Sequence, residues 1–335
     1  MKIDAGLMGS LKEAPEKARE LEAQGFDGLI TAEMSSDPFL PLLLAAEHTE
    51  RIELMTSIAV AFARNPMILA NLGNDLQAYS NGRFVLGLGS QIKPHIEKRF
   101  SMPWSQPAAR MREFILAMRA IWDCWYGGKK LDFRGEFYTH TLMTPMFTPT
   151  HNEHGAPRVV LAAVGPKMTE AAGEVADGML VHGFTTARYL REVTMPALER
   201  GFAAGGRARK DFQLCYPAFV VTGRSQQEWE EMRTAVTRQI AFYGSTPAYR
   251  GVLELHGWGE LQGELNAMSK RGEWVAMGER ISDEILEAFA VVAEPHRVAS
   301  ALKGRFGGVV DRVFCGFPFA TDEERRGYME ELRAA

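Results

Sequence analysis

Short runs of apolar residues alternate along the chain with longer segments in which apolar residues recur every three or four positions. Eight runs predict strands: Ile3–Leu7, Gly28–Ala32, Ile52–Phe62, Phe84–Gly89, Val159–Ala163, Gly178–His182, Phe212–Val221 and Arg312–Phe317. The intervening segments predict helices: Ala14–Gln24, Phe39–Thr49, Pro66–Ser80, Ala108–Trp125, Met168–Ala176, Ala187–Gly201 and Gln226–Tyr243. The strand runs lack polar alternation, so both faces are expected to be buried. This α/β alternation predicts a closed (β/α)8 TIM barrel. An open doubly wound sheet is second choice, since no GxGxxG follows the first strand.

Two segments interrupt the alternation, and we expect both to be insertions in one domain spanning residues 1–335. Gln91–Pro157 follows strand four and is too long for one crossover; within it, Leu131–His140 predicts a β-hairpin. Gly244–Ala290 follows strand seven and mixes turns with helical pieces. Long loops in compact domains are usually functional, so both insertions are expected to form a lid over the active site.

Composition excludes several classes of function. The 335 residues carry a net charge of −4 without a block of like charge, which argues against binding to nucleic acid or to an anionic membrane. The three cysteines are far apart and form no CxxC, which is typical of reduced thiols in a cytoplasmic protein. No apolar run approaches the roughly 18 residues of a membrane span.

The turn at Gly165-Pro166-Lys167 opens a predicted helix directly after a buried strand. The first amides of a helix have no partners within it and carry partial positive charge, so such a turn can bind an anion, usually a phosphate. A purely structural turn, with proline at the first helical position, explains the same residues. From these residues alone, both interpretations stay open.

Four segments together resemble the bacterial luciferase-like superfamily of flavin and deazaflavin oxidoreductases. They are GFDGLITAE (Gly25–Glu33), TSIAVAFARNP (Thr56–Pro66), SNGRFVLGLGSQ (Ser80–Gln91) and LAAVGPKMTEAAGEVADGMLVHGF (Leu161–Phe184). Near the end of the chain, FAVVAEPHRVASAL (Phe289–Leu302) and VDRVF (Val310–Phe314) resemble the family's last helix and strand. FYGSTPAYRGVLELHGWG (Phe242–Gly259) is similar to the branch predicted to use coenzyme F420, a deazaflavin. The resemblance also suggests a homodimer.

The resemblance implies where a cofactor would lie. A non-prolyl cis peptide, expected between Ser57 and Ile58, would back the central ring of the cofactor. The turn formed by Gly165, Pro166, Lys167 and Met168 would bind its phosphate through backbone amides, with Lys167 adding charge. Gly89, Ser90 and Gln91 would leave the fourth strand beside the ring and the phosphate.

The chain also departs from the family pattern. Deazaflavin-dependent sugar-phosphate and alcohol dehydrogenases have a His after an acidic residue at the end of strand two, and a Trp four positions later. Here Met34 and Pro38 occupy those positions, and Ile92 replaces a Glu found after strand four. Gly89 stands where bacterial luciferase has its reactive Cys. We therefore expect a substrate other than a secondary alcohol or sugar phosphate handled by that mechanism.

Two residues remain as catalytic candidates, because both end strands on the side where barrel enzymes react. Glu33 can act as acid or base, or can be a structural carboxylate. His182 can donate to a cofactor or substrate oxygen, or can be a satisfied, half-buried side chain. His95, Trp104, Tyr138 and His140 in the first insertion are further pocket candidates, for which packing is the simpler explanation. His151 and His154 have HxxH spacing but lack a helix and further ligands, so no metal site is expected.

The sequence therefore predicts an F420-dependent oxidoreductase that transfers hydride to or from a small organic substrate. One alternative is an FMN-dependent monooxygenase using reduced flavin and oxygen. Another is a non-catalytic protein that binds a flavin or deazaflavin.

Overall fold

The computed structural model describes residues 1–149 and 153–334. In chain order, the strands of these residues are β1 (Lys2–Gly6), β2 (Gly28–Thr31), β3 (Glu53–Thr56), β4 (Ala59–Val60), β5 (Phe84–Gly89), β6 (Phe133–Arg134), β7 (Thr139–His140), β8 (Arg158–Ala163), β9 (Gly178–Val181), β10 (Gln213–Pro217), β11 (Phe219–Val221), β12 (Ala290–Val292) and β13 (Arg312–Phe314). The helices are α1 (Ala14–Ala23), α2 (Phe39–His48), α3 (Pro66–Tyr79), α4 (Pro107–Gly127), α5 (Pro166–Val175), α6 (Ala187–Tyr189), α7 (Met195–Gly205), α8 (Gln226–Gly244), α9 (Arg250–Leu255), α10 (Gly259–Lys270), α11 (Trp274–Gly278), α12 (Asp283–Phe289), α13 (Val298–Phe306) and α14 (Asp322–Arg333).

Eight parallel strands close into a barrel, which confirms the predicted fold class. Around the barrel they are β1, β2, β3, β5, β8, β9, β10 and β13, with β4 continuing β3 after a break. The ring closes because β1 pairs with both β2 and β13, while β3 pairs with β5. A small apolar cluster built on Met55, Val85, Val160, Leu180 and Cys215 occupies the interior, and a larger one lies between the barrel and its helices.

The third barrel strand contains a bulge that positions part of the site. Met55 pairs with Val85 and Ala59 pairs with Leu88, so the three residues from 56 to 58 oppose only two, 86 and 87. The side chain of Thr56 bridges this gap, because its hydroxyl donates to the carbonyl of Gly87 at 2.7 Å and accepts from the amide of Gly87 at 2.9 Å. The bulge separates β3 from β4 within the predicted run Ile52–Phe62.

The predicted seventh strand, Phe212–Val221, is in fact two strands. Its first half, β10, belongs to the barrel, whereas β11 leaves the barrel and pairs in parallel with β12 at the end of the second insertion. Pro217 ends the barrel portion because proline has no amide hydrogen for the ladder. The predicted last strand likewise stops at Phe314 rather than Phe317.

Charged side chains fill the barrel at the amino ends of its strands. Arg312, which is 1% exposed, donates to Asp4 at 2.5 Å and also binds Glu53. Glu53 further accepts from Arg158 at 2.5 Å and from Lys2 at 3.1 Å. Its cationic neighbours outweigh burial and lower the pKa of Glu53 to about 2, so its charge is retained. These ion pairs fill the amino end of the barrel, so a ligand site is expected at the carboxyl end.

Both insertions follow the strands expected of them. The first lies between β5 and β8 and contains α4 and the predicted hairpin, formed by β6 and β7, in which Phe133 pairs with His140 and Arg134 with Thr139. The second, after β10 and β11, contains α9 to α12 and packs around its own apolar cluster, which includes Phe184 and Phe289. Within the described residues, no helix is both long and apolar enough to cross a membrane.

Candidate active site at the carboxyl ends of the barrel strands

The bulge of the third strand forms one wall of the barrel mouth. The peptide bond between Ser57 and Ile58 is cis, as the family resemblance implied. A Cβ atom added to Gly89 would lie 2.9 Å from Cδ1 of Ile58 and 3.6 Å from Cβ of Ala162. The absence of a side chain at Gly89 therefore leaves room for Ile58 at this level of the barrel.

Glu33 stabilises the bulge through hydrogen bonds. Its Oε2 accepts from the amide of Val60 at 2.7 Å and from Nη1 of Arg64 at 2.6 Å, and its side chain is 8% exposed. Its own amide donates to the carbonyl of Ile58 at 3.1 Å. These bonds tie the end of the second strand to the bulge and give Glu33 a structural task. Its role as an acid or base stays a prediction.

The chain leaves β5 through a turn that is stabilised by hydrogen bonds between neighbouring residues. Gln91 has a left-handed backbone with φ 60°, and its Oε1 accepts from the amide of Ile92 at 3.0 Å. The hydroxyl of Ser90 donates to the carbonyl of Gln91 at 3.1 Å. Ile92 is 51% exposed, and Met34 after β2 is 62% exposed. The positions where related dehydrogenases carry Glu and His thus present apolar side chains to solvent here.

The Gly165 turn leaves the start of α5 open. Gly165 has φ 76° and ψ 159°, a region reserved for glycine, and being glycine it offers no side chain to cap the helix. Pro166 occupies the first helical position, and the amides of Lys167 and Met168 precede the first internal bond, from Thr169 to Gly165. Lys167 is exposed, whereas the side chain of Met168 packs in the core, so Met168 can offer a ligand only its backbone.

A cavity of about 170 Å³ begins at this turn. Residues from β8, α5, β9, the segment after β9 and the second insertion line it: Ala163, Val164, Gly165, Pro166, Thr169, Met179, Val181, His182, Phe184, Thr185, Tyr189, Val193, Thr194, Ala248, Tyr249, Gly251 and Val252. No Asp, Glu, Lys or Arg is among them. Thr185 is 3% exposed, and its hydroxyl has no partner within the described residues. Polar contacts available here come from neutral groups and from the helix start.

His182 lies at the wall of this cavity in a defined tautomer. Its Nδ1 accepts from the amide of Phe184 at 3.1 Å, and its Nε2 lies 3.2 Å from the hydroxyl of Tyr249. Burial lowers the pKa of His182 to about 4, so the ring is neutral near pH 7. A neutral ring whose Nδ1 accepts must carry its hydrogen on Nε2, so Nε2 donates to Tyr249.

Tyr249 was not among the residues predicted from the sequence, although it lies in the segment Phe242–Gly259 that resembles the F420-dependent branch. Tyr249 is 67 positions from His182 in sequence, and its ring lies 4.4 Å from the His182 ring and 5.9 Å from that of Phe184. Tyr243 packs edge-on against His182 at 4.6 Å. The aromatic-rich segment 242–258 was the available signal, but only the folded insertion brings it to the barrel.

Of the further candidates in the first insertion, Trp104 and Tyr138 make packing contacts. Trp104 packs edge-on against Phe62 at 5.5 Å, and the hydroxyl of Tyr138 accepts from Arg110 at 2.9 Å. His95 is exposed, and Nε2 of His140 is buried without a partner among the described residues. His151 lies outside the described residues. Within the described ranges, no group of three or more His, Cys, Asp or Glu residues could hold a metal ion.

The predicted site residues thus fall into two adjoining groups. Glu33, Ser57, Ile58 and the 89–91 turn belong to the barrel mouth. Gly165, Pro166 and His182 line the cavity, and Lys167 and Met168 follow in the first turn of α5. Strand β8 joins the groups, because Ala162 lies beside Gly89 and Ala163 lines the cavity.

Comparison with known proteins identifies the family and agrees with the fold. The family model described as luciferase-like monooxygenase matches residues 2–312. The chain is 58% identical, over 99% of its length and 98% of the relative's, to an uncharacterized protein of Mycobacterium tuberculosis. It is 26% identical to 5,10-methylenetetrahydromethanopterin reductase of Archaeoglobus fulgidus, over 85% of this chain and 82% of that one. The solved coenzyme F420-dependent tetrahydromethanopterin reductase of Methanopyrus kandleri shares the fold with a TM-score of 0.76 and 19% identity, covering 99% and 96% of the two chains.

These matches confirm the expectation of an oxidoreductase. The family model covers most of the barrel, including β3, β5, β8 and β9, whose ends carry the candidate site. The chain belongs to the luciferase-like monooxygenase family.

Proposed function

We propose that this protein binds coenzyme F420 and uses it to oxidise or reduce a small organic substrate. The observation that carries the proposal is the open start of α5 at Gly165, which borders a cavity beside the barrel mouth. When bound, the deazaflavin supplies or accepts a hydride at its ring, so the protein has to bind, orient and shield its ligands. The family resemblance adds a homodimer to this proposal, and the three widely spaced cysteines add a cytoplasmic location.

The residues at the cavity fit the phosphate of such a cofactor. The amides of Lys167 and Met168 precede the first internal hydrogen bond of α5, and the helix dipole favours an anion there. Thr185 contributes a buried hydroxyl that lacks a partner within the described residues. Exposed Lys167 adds one positive charge nearby. An anion would give hydrogen-bond partners to groups whose burial without a partner costs free energy.

The barrel mouth fits a flat ring. Gly89 lacks the side chain that would crowd Ile58, and Glu33 and Arg64 support the bulge from behind. Thr56 fixes the bulge to Gly87 through two short hydrogen bonds. In this proposal, Ser57, Ile58, Gly89, Ser90 and Gln91 line the ring, and their rigid support sets its position.

The rim of the mouth favours a substrate of low polarity. Met34, Ile92, Val164 and Phe314 end or follow four different barrel strands and are 62%, 51%, 41% and 37% exposed. Apolar side chains clustered around a mouth bind apolar ligand surface and exclude water from it. Because the carboxylate of Glu33 is bonded to Arg64, we assign Glu33 a supporting role in the site in preference to acid–base catalysis.

Titration of the pure protein with coenzyme F420 tests the proposal directly. We expect saturable binding, seen as a change in the absorbance and fluorescence of the deazaflavin. Nicotinamide cofactors should not compete for the site. Binding should be weakened by a Gly165→Val substitution. A protein that binds FMN tightly and leaves F420 free would contradict the proposal.

A luciferase-like monooxygenase that uses reduced FMN and oxygen is the second candidate, and the description of the matching family favours it. Oxygen consumption with reduced FMN separates the two enzymes. A cofactor-binding protein without catalysis would bind F420 but would not change its oxidation state with any substrate in a screen of apolar carbonyl and unsaturated compounds.

A further inference from the structure

Tyr249 brings a hydroxyl group from the second insertion to the cavity beside the Gly165 turn. The hydroxyl lies 3.2 Å from Nε2 of His182, and Tyr249 lines the cavity together with Gly165 and Thr185. Burial raises the pKa of Tyr249, with a further contribution from Tyr243, so the hydroxyl keeps its hydrogen near pH 7.

The direction of the hydrogen bonds follows from the backbone. The amide of Phe184 can only donate, so Nδ1 of His182 must accept and is without hydrogen. In the neutral ring, Nε2 then carries the hydrogen and donates to the oxygen of Tyr249. The hydrogen of the Tyr249 hydroxyl consequently has no acceptor within the described residues and is available to a ligand.

We infer that Tyr249 is a ligand-binding residue whose hydroxyl donates a hydrogen bond to an oxygen of the cofactor's phosphate, with His182 as its positioning residue. The inference rests on the proposed function and deepens it. Neutral His182 accepts from the amide of Phe184 and donates to the oxygen of Tyr249. This fixes the Tyr249 hydroxyl as an uncharged hydrogen-bond donor to the ligand.

The class of anion follows from the same set of groups. The amides of Lys167 and Met168 and the hydroxyls of Thr185 and Tyr249 are all neutral donors, and no charged side chain lines the cavity. A phosphodiester carries one negative charge, whereas a phosphate monoester near pH 7 carries between roughly 1.5 and 2. Neutral donors with one exposed lysine suit the singly charged phosphodiester, which is the form found in the tail of coenzyme F420.

Substitutions at the two residues test the inference, using the full-length protein and two ligands. The ligands are coenzyme F420 and the deazaflavin ring without its phosphodiester tail. We expect Tyr249→Phe to weaken F420 binding roughly tenfold to a hundredfold, the usual effect of a hydrogen bond to a charged group. Binding of the tail-free deazaflavin should be unchanged, which a general disturbance of the site would not allow.

Two substitutions of His182 separate its nitrogens. In His182→Asn, the side-chain oxygen replaces the acceptor Nδ1 and the donor to Tyr249 is lost; in His182→Gln, the terminal amide preserves the donor. We expect Asn to weaken F420 binding as much as Tyr249→Phe does, and Gln to weaken it less. The Tyr249→Phe, His182→Asn double variant should be no weaker than either single one, because both remove the same interaction.

Tyr243→Phe is the matched control. It removes a hydroxyl from the same aromatic cluster, but Tyr243 does not line the cavity, so F420 affinity should not change. If Tyr249→Phe binds F420 as tightly as the unsubstituted protein does, the inference is wrong while the cofactor assignment stands. If the unsubstituted protein does not bind F420, the proposed function and this inference both fail.

Discussion

The carboxylate of Glu33 binds the guanidinium of Arg64 at 2.6 Å, and the same oxygen accepts from the amide of Val60. This pair joins the end of the second barrel strand to the bulge in the third. We expect Glu33→Gln to lower the free energy of unfolding by roughly 1.5–3 kcal/mol, because it weakens a partly buried, charge-assisted contact. Urea denaturation measures this loss.

Glu260→Gln is the control for that experiment, since Glu260 is fully exposed and lies 4.0 Å from Arg250. Its loss should leave stability unchanged. If Glu33→Gln abolishes turnover and changes its pH profile without affecting stability, Glu33 acts in acid–base chemistry, as the sequence suggested, and the structural assignment is wrong.

Gly165 and Gly206 both have positive φ angles, although only Gly206 lies in the left-handed helical region. Their φ angles are 76° and 63°, and a Cβ added to either would meet no atom within 4 Å. Replacing either by Ala should therefore cost about 1–3 kcal/mol of stability through the backbone alone. Only Gly165→Ala should also weaken cofactor binding, as isothermal titration can show. Equal affinities for the two variants would place the phosphate elsewhere.

Gly87 and Gly89 lie two residues apart in β5 but should respond differently to Ala. A Cβ at Gly87 would lie 1.6 Å from the carbonyl oxygen of Thr56, which cannot move without breaking the bulge. Gly87→Ala should therefore prevent stable folding. At Gly89 the nearest atom is the end of the Ile58 side chain, which can rotate away. Gly89→Ala should fold, with a lower melting temperature and weaker cofactor binding; normal affinity would exclude Gly89 from the ring site.

Buried His182 makes stability depend on pH. Its pKa is about 4 in the folded protein and near its ordinary 6.5 when unfolded, because burial disfavours the charged ring. As pH falls from about 6.5 towards 4, the unfolded state therefore binds a proton first. Stability from this residue is complete above pH 6.5 and falls by roughly 2–4 kcal/mol across that window. Urea unfolding from pH 7 to 4.5 should show a shallower pH slope in His182→Gln than in the unsubstituted protein; equal slopes would contradict the assignment.

Lys167 should strengthen cofactor binding through its charge alone. It is exposed in the first turn of α5, so Lys167→Ala should weaken binding by roughly 0.5–1.5 kcal/mol at low salt, and by less as salt screens the charge. Lys210→Ala, at an exposed position after α7, is the control and should have no effect. A loss that persists in high salt would point to a structural cause.

Much of the barrel could be predicted from the sequence because its determinants are local. Apolar runs such as Phe84–Gly89 indicate buried strands wherever the chain folds, and Gly165-Pro166 starts a helix by backbone preference. The hairpin within Leu131–His140 is also local, and it forms as expected. The family motifs likewise consist of contiguous residues, which is why the cis bond between Ser57 and Ile58 could be anticipated.

Other features depend on contacts between residues distant in sequence. The seventh predicted strand is split because β11 pairs with β12, which lies some seventy residues further along the chain. Glu33 reads in the sequence as a possible acid or base, yet Arg64 and Val60 determine its surroundings. For His182 the sequence left open a donor role or a half-buried structural role, and only the fold shows that burial beside Tyr243 and Tyr249 keeps the ring neutral.

The sequence by itself thus determined the barrel, the family and the position of the open helix start, because short-range preferences and contiguous motifs encode them. The tertiary structure alone decided which side chains share the cavity and which way their hydrogens point. The physical reason is that a hydrogen bond between Tyr249 and His182, or an ion pair between Glu33 and Arg64, exists only after folding has paid the entropy of bringing distant segments together.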